Sequence, residues 1–175
     1  MEVYSWIGRR DFFKAGAAAG LGLVLPLWMV RRAGAAVRVG DVPEPTILTD
    51  LQGRQLIVPS DFMGKVVLLH FWASWCPTCR GEMTALESAY VKYRKRGAVV
   101  CSIDLGEKRE AVVAYIRNMN ISYPVLLDPN SSTRRLFGVS GVPTYFVLTR
   151  KGAVRYKIIG AADKDGLDQM IRTLL

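Results

Sequence analysis

The sequence is short of the residues that hold metals or staple small folds. It has one histidine, His70, and three cysteines in 175 residues. Three is an odd number and too few for a disulfide-stapled scaffold. A zinc centre needs about four ligands, usually from paired CxxC or CxxC…HxxxH elements. Here there is one CxxC, and His70 and Cys101 both sit inside apolar, strand-like runs, so no metal is expected. Covalent attachment of a c-type haem requires His directly after the second cysteine, and that position is Arg80. No basic stripe interleaved with aromatics argues for nucleic acid. There is no internal repeat and no low-complexity segment. The apolar stretch from Ala15 to Val30 is short for a membrane span of roughly 20 residues, and Pro26 interrupts it.

What is present suits one compact domain with a short appendage: half of the residues are hydrophobic. Formal net charge is +9, of which +3 falls in the first 35 residues. The remaining +6 is spread along the chain and reads as a solvated surface. The first 35 residues follow the charged, apolar, small-residue order of an export signal: Gly8-Arg9-Arg10-Asp11-Phe12-Phe13-Lys14, then the apolar stretch, then Arg31-Arg32 and Ala33-Gly34-Ala35. Arg-Arg-x-Phe-x-Lys resembles the twin-arginine class, which implies the twin-arginine export machinery as a partner. Cleavage near Ala35 leaves a domain over residues 36–175; retention leaves an N-terminal anchor. Either outcome puts the folded domain outside the cytoplasmic membrane, in the periplasm or on the membrane's outer face. No cysteine follows the apolar stretch, which argues against a lipid anchor.

Along the mature chain, residues 37–45 read as an extended lead-in with Pro43 and Pro45. Thr46–Thr49 and Gln55–Val58 form a hairpin around Gly53, followed by a buried strand over 66–73. A helix from Pro77 carries Met83, Leu86, Tyr90 and Tyr93 on one stripe and stops at Lys92-x-Arg94-Lys95-Arg96-Gly97. Then come a strand over 98–104, a helix over about 107–119, a strand over 123–127 and a short helix over 131–137. A hairpin of 144–149 and 153–159 and a helix capped by Asp163 close the domain. Helices alternating with buried strands, then a hairpin and a helix, predict an α/β fold with a mixed central sheet.

The chemistry concentrates in Trp75-Cys76-Pro77-Thr78-Cys79, directly behind the strand 66–73. Spacing of i and i+3 on a first helical turn places both sulfurs on one face, close enough for a disulfide. The helix N-terminus offers unpaired N–H groups and a positive dipole end, which stabilise a thiolate. With haem excluded and zinc not expected, thiol redox chemistry is left.

Phe71-Trp72-Ala73-Ser74-Trp75-Cys76-Pro77-Thr78-Cys79-Arg80-Gly81-Glu82 and the later Gly138-Val139-Ser140-Gly141-Val142-Pro143-Thr144 resemble the thioredoxin-like thiol:disulfide oxidoreductases of the TlpA/ResA type, and the related cytochrome-c-maturation reductases. The resemblance covers roughly residues 40–175. It implies the thioredoxin fold with an N-terminal β-hairpin extension, and the Cys76–Cys79 disulfide as the redox group in place of a cofactor. Cys76 is then the attacking thiolate and Cys79 the resolving thiol. Pro143 is the cis-proline facing the disulfide, and Trp75, Val142, Pro143 and Thr144 form the substrate side. Pro77 and Thr78 tune the redox potential. Glu82 assists proton transfer to and from Cys79, although a first-turn carboxylate also complements the helix dipole. The implied partners are exported proteins with disulfides, such as apocytochrome c or copper-site proteins, and a membrane thiol-electron transporter of the DsbD/CcdA kind.

His70 departs from the family pattern. Six residues before Cys76, it stands where thioredoxin has a buried acid. Two readings stay open: a histidine that shuttles protons to Cys79, raising the reduction potential if cationic, or a neutral, hydrogen-bonded strand residue. Cys101 reads as a small buried hydrophobe, and Arg80 as solvated beside the site. Three rivals are weighed. An oxidase needs a potential well above thioredoxin's roughly −270 mV, and the chain lacks a large helical insertion or a His between the cysteines. A peroxidase needs Pro-x-x-x-Thr-x-x-Cys, which is absent. A copper chaperone using the CxxC fits the softness of Cu(I), but the CxxxC and downstream His of Sco-like chaperones are missing.

Overall fold

The computed structural model describes residues 36–175. The export-signal reading of residues 1–35 lies outside the described residues. Among those described, no helix is long and apolar enough to cross a membrane.

Seven strands form one mixed sheet: β1 (Thr46–Asp50), β2 (Gln55–Val58), β3 (Val66–Trp72), β4 (Ala98–Asp104), β5 (Val125–Leu127), β6 (Thr144–Leu148) and β7 (Val154–Ile159). Four α-helices accompany them: α1 (Pro77–Tyr93), α2 (Arg109–Ile116), α3 (Ser132–Phe137) and α4 (Lys164–Arg172). The strand order is β2-β1-β5-β4-β3-β6-β7. β3, β4 and β5 run parallel, and β6, β7 and the β1–β2 hairpin pair antiparallel. Every residue of β3 and β4 is buried, as their near-continuous apolar runs require of central parallel strands.

Side chains alternate across a strand, so Val66, Leu68, His70 and Trp72 face one way and Val67, Leu69 and Phe71 the other. The first face packs against Cys79, Met83, Leu86 and Tyr93 of α1, Val112 of α2, and Leu167 and Ile171 of α4. The second packs against Phe137 of α3, Phe62 and Val37. β3 and β4 are parallel, and β3 delivers the chain into α1, so the CxxC emerges at the C-terminal end of β3. Thr144, which opens β6, pairs with Phe71 near that same end.

Helix α1 carries Pro at its first position, where a missing N–H costs little. It ends in a 3-10 turn, Arg94–Arg96, and Gly97 follows at φ 92°, a left-handed conformation natural to glycine. The basic run is therefore a helix stop. Asp163 caps α4 by accepting from the Gly166 N–H at 2.7 Å. Two elements are shorter than expected. Helix α2 starts at Arg109, because the Leu105 N–H donates to the Trp72 carbonyl and the Glu107 N–H to Asp104, holding the chain off the helix. β5 starts at Val125, because Pro124 has no N–H to give the ladder, although its carbonyl accepts from Ser102.

Candidate active site

Cys76 is the N-cap of α1. Its backbone is extended, at φ −92° and ψ 105°, and its Sγ accepts from the Cys79 N–H at 3.2 Å. The two sulfurs are joined in a disulfide across a Cα–Cα distance of 5.4 Å. An N-cap acceptor that is itself sulfur is the place where a helix N-terminus helps a thiolate most. Cys76 keeps 4% of its surface exposed and Cys79 none. Of the two residues, Cys76 alone keeps any exposed surface. Beside it Trp75 projects, 68% exposed.

The second motif arrives at the same end of the sheet. Val142–Pro143 is a cis peptide. The Thr144 hydroxyl donates to the Gly141 carbonyl at 2.7 Å, and Gly160 N–H donates to the Pro143 carbonyl at 2.9 Å. These bonds close the loop that carries Val142, Pro143 and Thr144. Pro77 and Thr78 lie in the first turn of α1, between the cysteines.

Beneath Cys79 the sheet presents a polar row. His70 of β3 stands in register between Ser102 of β4 and Tyr145 of β6. All three are fully buried. His70 Nδ1 is 3.1 Å from Ser102 Oγ, and its ring stacks on Tyr145 with centroids 4.9 Å apart. Its Nε2 has no hydrogen-bond partner. Burial drives the imidazole pKa down to about 3, so His70 is neutral at physiological pH. Glu82 reaches in from α1. One carboxylate oxygen accepts from the Ala162 N–H at 2.9 Å, and the other is buried without a partner. A ring nitrogen of His70, the Cys79 sulfur and a Glu82 oxygen lie within 4.8 Å of one another. Burial, and next the Glu82 carboxylate, push the Tyr145 phenol up.

A carboxyl pair holds the loop in front of Cys76. The Ser74 N–H and hydroxyl each donate to Glu107 at 2.5 Å. Glu107 in turn donates its N–H to the fully buried Asp104 at 2.8 Å. Burial, then the Glu107 carboxyl, push Asp104 up to about 7. Burial also pushes Glu107 upward, but the two Ser74 bonds and the Asp104 carboxyl together outweigh it and leave Glu107 below its ordinary value.

Sequence reasoning reached Cys76, Cys79, Glu82, His70, Trp75 and the Val142–Thr144 loop, and the structure gathers them at one end of the sheet. It missed Ser102, Tyr145 and the Asp104–Glu107 pair. The signal was polar side chains inside otherwise apolar strands, His70 in β3, Ser102 and Asp104 in β4 and Tyr145 in β6, of which only the register aligns His70, Ser102 and Tyr145. Cys101 is buried, and burial pushes its thiol up, away from reactivity. The Arg80 guanidinium sits 5.6 Å from the Tyr115 ring centroid, on the exposed side of α1.

Comparison with known proteins agrees with this geometry. The model of the AhpC/TSA family matches residues 39–157. Thiol-disulfide oxidoreductase ResA of Geobacillus thermodenitrificans is 30% identical over 139 residues, covering 79% of each chain. ResA of Bacillus anthracis is 29% identical over 138 residues, again with 79% of each chain covered. A solved thiol:disulfide interchange protein of the thioredoxin family from Chlorobium tepidum aligns with a TM-score of 0.69 at 26% identity, covering 80% of this chain and 99% of that one.

Proposed function

We propose, for a chain that belongs to the AhpC/TSA family and is a thiol-disulfide oxidoreductase of the ResA type, that it reduces disulfides of proteins outside the cytoplasmic membrane through Cys76 and Cys79. The reduced Cys76 thiolate attacks one sulfur of a substrate disulfide and releases the other as a thiolate, leaving a mixed disulfide. Cys79 then gives up its proton and attacks Cys76 sulfur. The substrate leaves fully reduced, having gained the two electrons that the Cys76 and Cys79 thiols give up as they are oxidised to the Cys76–Cys79 disulfide. Trp75, Val142, Pro143 and Thr144 line the approach to Cys76. The Cys79 proton passes to the unpartnered Glu82 oxygen or the His70 Nε2 lone pair, both beneath the sulfur.

One observation carries the reductant reading: among the described residues, the cluster of ionisable groups formed by Cys79, His70 and Glu82 contains no cation. A strongly oxidising dithiol owes its potential to a stabilised reduced form. Here the imidazole beneath Cys79 is neutral and the neighbouring ionisable group is a carboxyl, so the N-cap is left as the support of a thiolate. The Cys76–Cys79 disulfide serves in place of a cofactor. Electrons come from a membrane thiol transporter of the DsbD/CcdA kind, and the substrates are exported proteins such as apocytochrome c or copper-site proteins. The arginine-paired N-terminal segment supports export by a twin-arginine-type route, with cleavage near Ala35 or retention as an anchor.

Trapping tests this reading. In Cys79→Ser the mixed disulfide has no resolving thiol, so exported cysteine-containing proteins should accumulate covalently on Cys76 and release with a reductant. An absence of adducts in cells where the variant is exported and folded would overturn it.

A further inference from the structure

We propose that the reduced form of this protein holds one zinc ion between Cys76, Cys79, His70 and Glu82. The proposal rests on the dithiol state that the oxidoreductase cycle provides.

Three donors of suitable chemistry, Cys79, His70 and Glu82, already converge, and Cys76, bonded to Cys79 in the oxidised form, is the fourth that reduction would free. The CxxC spacing is the one that structural zinc sites use for a thiolate pair. Behind the pair, a His70 ring nitrogen, the Cys79 sulfur and a Glu82 oxygen already lie within 4.8 Å of one another. With Nδ1 engaged by Ser102, Nε2 is the nitrogen left to offer, and the Ser102 bond fixes the ring as a metal-bound histidine's outer contact does. Tyr145 stacked on the other side locks the ring plane. Tetrahedral zinc, with bonds of about 2.0–2.3 Å, needs donors about 3.3–3.8 Å apart. Contraction of roughly an ångström is within reach of a Glu82 rotamer and of a Cys79 sulfur released from its disulfide.

The energetics favour occupancy. His70 Nε2 and one Glu82 oxygen are buried polar atoms without hydrogen-bond partners, so folding has left both unsatisfied. A cation satisfies both at once. The reaction balances as one Zn²⁺ taken up and two thiol protons released, with no change in oxidation state. The carboxylate and nitrogen donors select zinc over Cu(I), which is content with soft sulfur. The absence of a second CxxC argued against a metal in the sequence; the strand pairing brings in the histidine that the CxxC lacked. Loaded zinc occupies both thiols, so it holds the reduced protein out of disulfide exchange and shields it from oxidation.

The test uses the full chain, reduced with a phosphine and dialysed against zinc, alongside the oxidised protein. One zinc per reduced chain, none per oxidised chain, and a tetrahedral thiolate spectrum on Co²⁺ substitution are expected. Glu82→Gln and His70→Asn should each weaken zinc by at least about 10–100-fold, since loss of a direct ligand costs no less than loss of an outer-shell partner. Glu82→Gln alters a half-buried residue and serves if His70→Asn does not fold. Substoichiometric zinc, equal zinc on the oxidised protein, or unchanged affinity in Glu82→Gln would overturn the proposal. Reduction of insulin disulfides in zinc-free buffer is measured on the same preparations. Activity without zinc binding defeats only the zinc site, and zinc binding without activity defeats only the reductase reading.

Discussion

Cys79 has to lose a proton in a buried place, and two side chains able to act as bases, Glu82 and His70, lie close to it. If Glu82 and His70 share that work, removing either should slow resolution while leaving the attack of Cys76 on substrate nearly unchanged. Glu82→Gln should lower the resolution rate on the order of 100-fold, at the lower end of general acid–base effects. Rapid quench of the mixed disulfide separates the two steps, and an equal loss in both would assign Glu82 to structure. His70→Asn should change the pH dependence of resolution by less than Glu82→Gln does, because an imidazole held near 3 does not titrate between pH 5 and 8. A wild-type resolution profile with an inflection near 6.5 that His70→Asn abolishes would show the ring titrating after all. The sequence made both residues visible as candidates. It left open whether His70 is charged, because burial, not residue type, decides that.

Asp104 belongs to the same scale and carries the pH dependence of stability. Its folded pKa, about 7, lies above the ordinary 3.8. The folded state therefore binds more protons than the unfolded one between those values. Its contribution to stability is full below about pH 4 and is lost as pH rises through 7. Asp104→Asn, neutral at every pH, should flatten the fall in denaturation midpoint between pH 4 and 7. An unchanged profile would remove Asp104 from the account of the Ser74 loop.

Among the elements, α1 does the most for the site, since it caps with Cys76 and packs Met83 and Leu86 on the polar row's side of the sheet. Leu86→Ala, at a fully buried position, should cost about 2–5 kcal/mol by chemical denaturation. Asp163→Ala, which removes the cap of α4, should cost about 1 kcal/mol. A loss for Leu86→Ala no larger than that for Asp163→Ala would contradict the packing. The bounds of α1 were legible because Pro77, the apolar stripe and Gly97 are local signals. Those of α2 were not, because Asp104, Glu107 and Trp72 hold residues 105–107 through contacts across the fold, which no local pattern records. The polar row was illegible for the same reason: Ser102 and Tyr145 gain meaning only from register with His70.

At the scale of the whole molecule, the sheet places the CxxC and Pro143, more than sixty residues apart in sequence, at one end. The fold class was readable from alternating buried strands and helices, and the pairing of the hairpin β1–β2 onto β5 completes it. What the whole fold adds is dielectric. It buries Cys79 over a neutral histidine and a carboxyl, and gives a thiolate no cation there. The most direct measurement of that claim is the reduction potential of the Cys76–Cys79 couple, by equilibration with a thiol buffer at pH 7. The expected value lies near thioredoxin's, about −270 mV or lower, and a value near −120 mV would contradict the reductant and mark an oxidase.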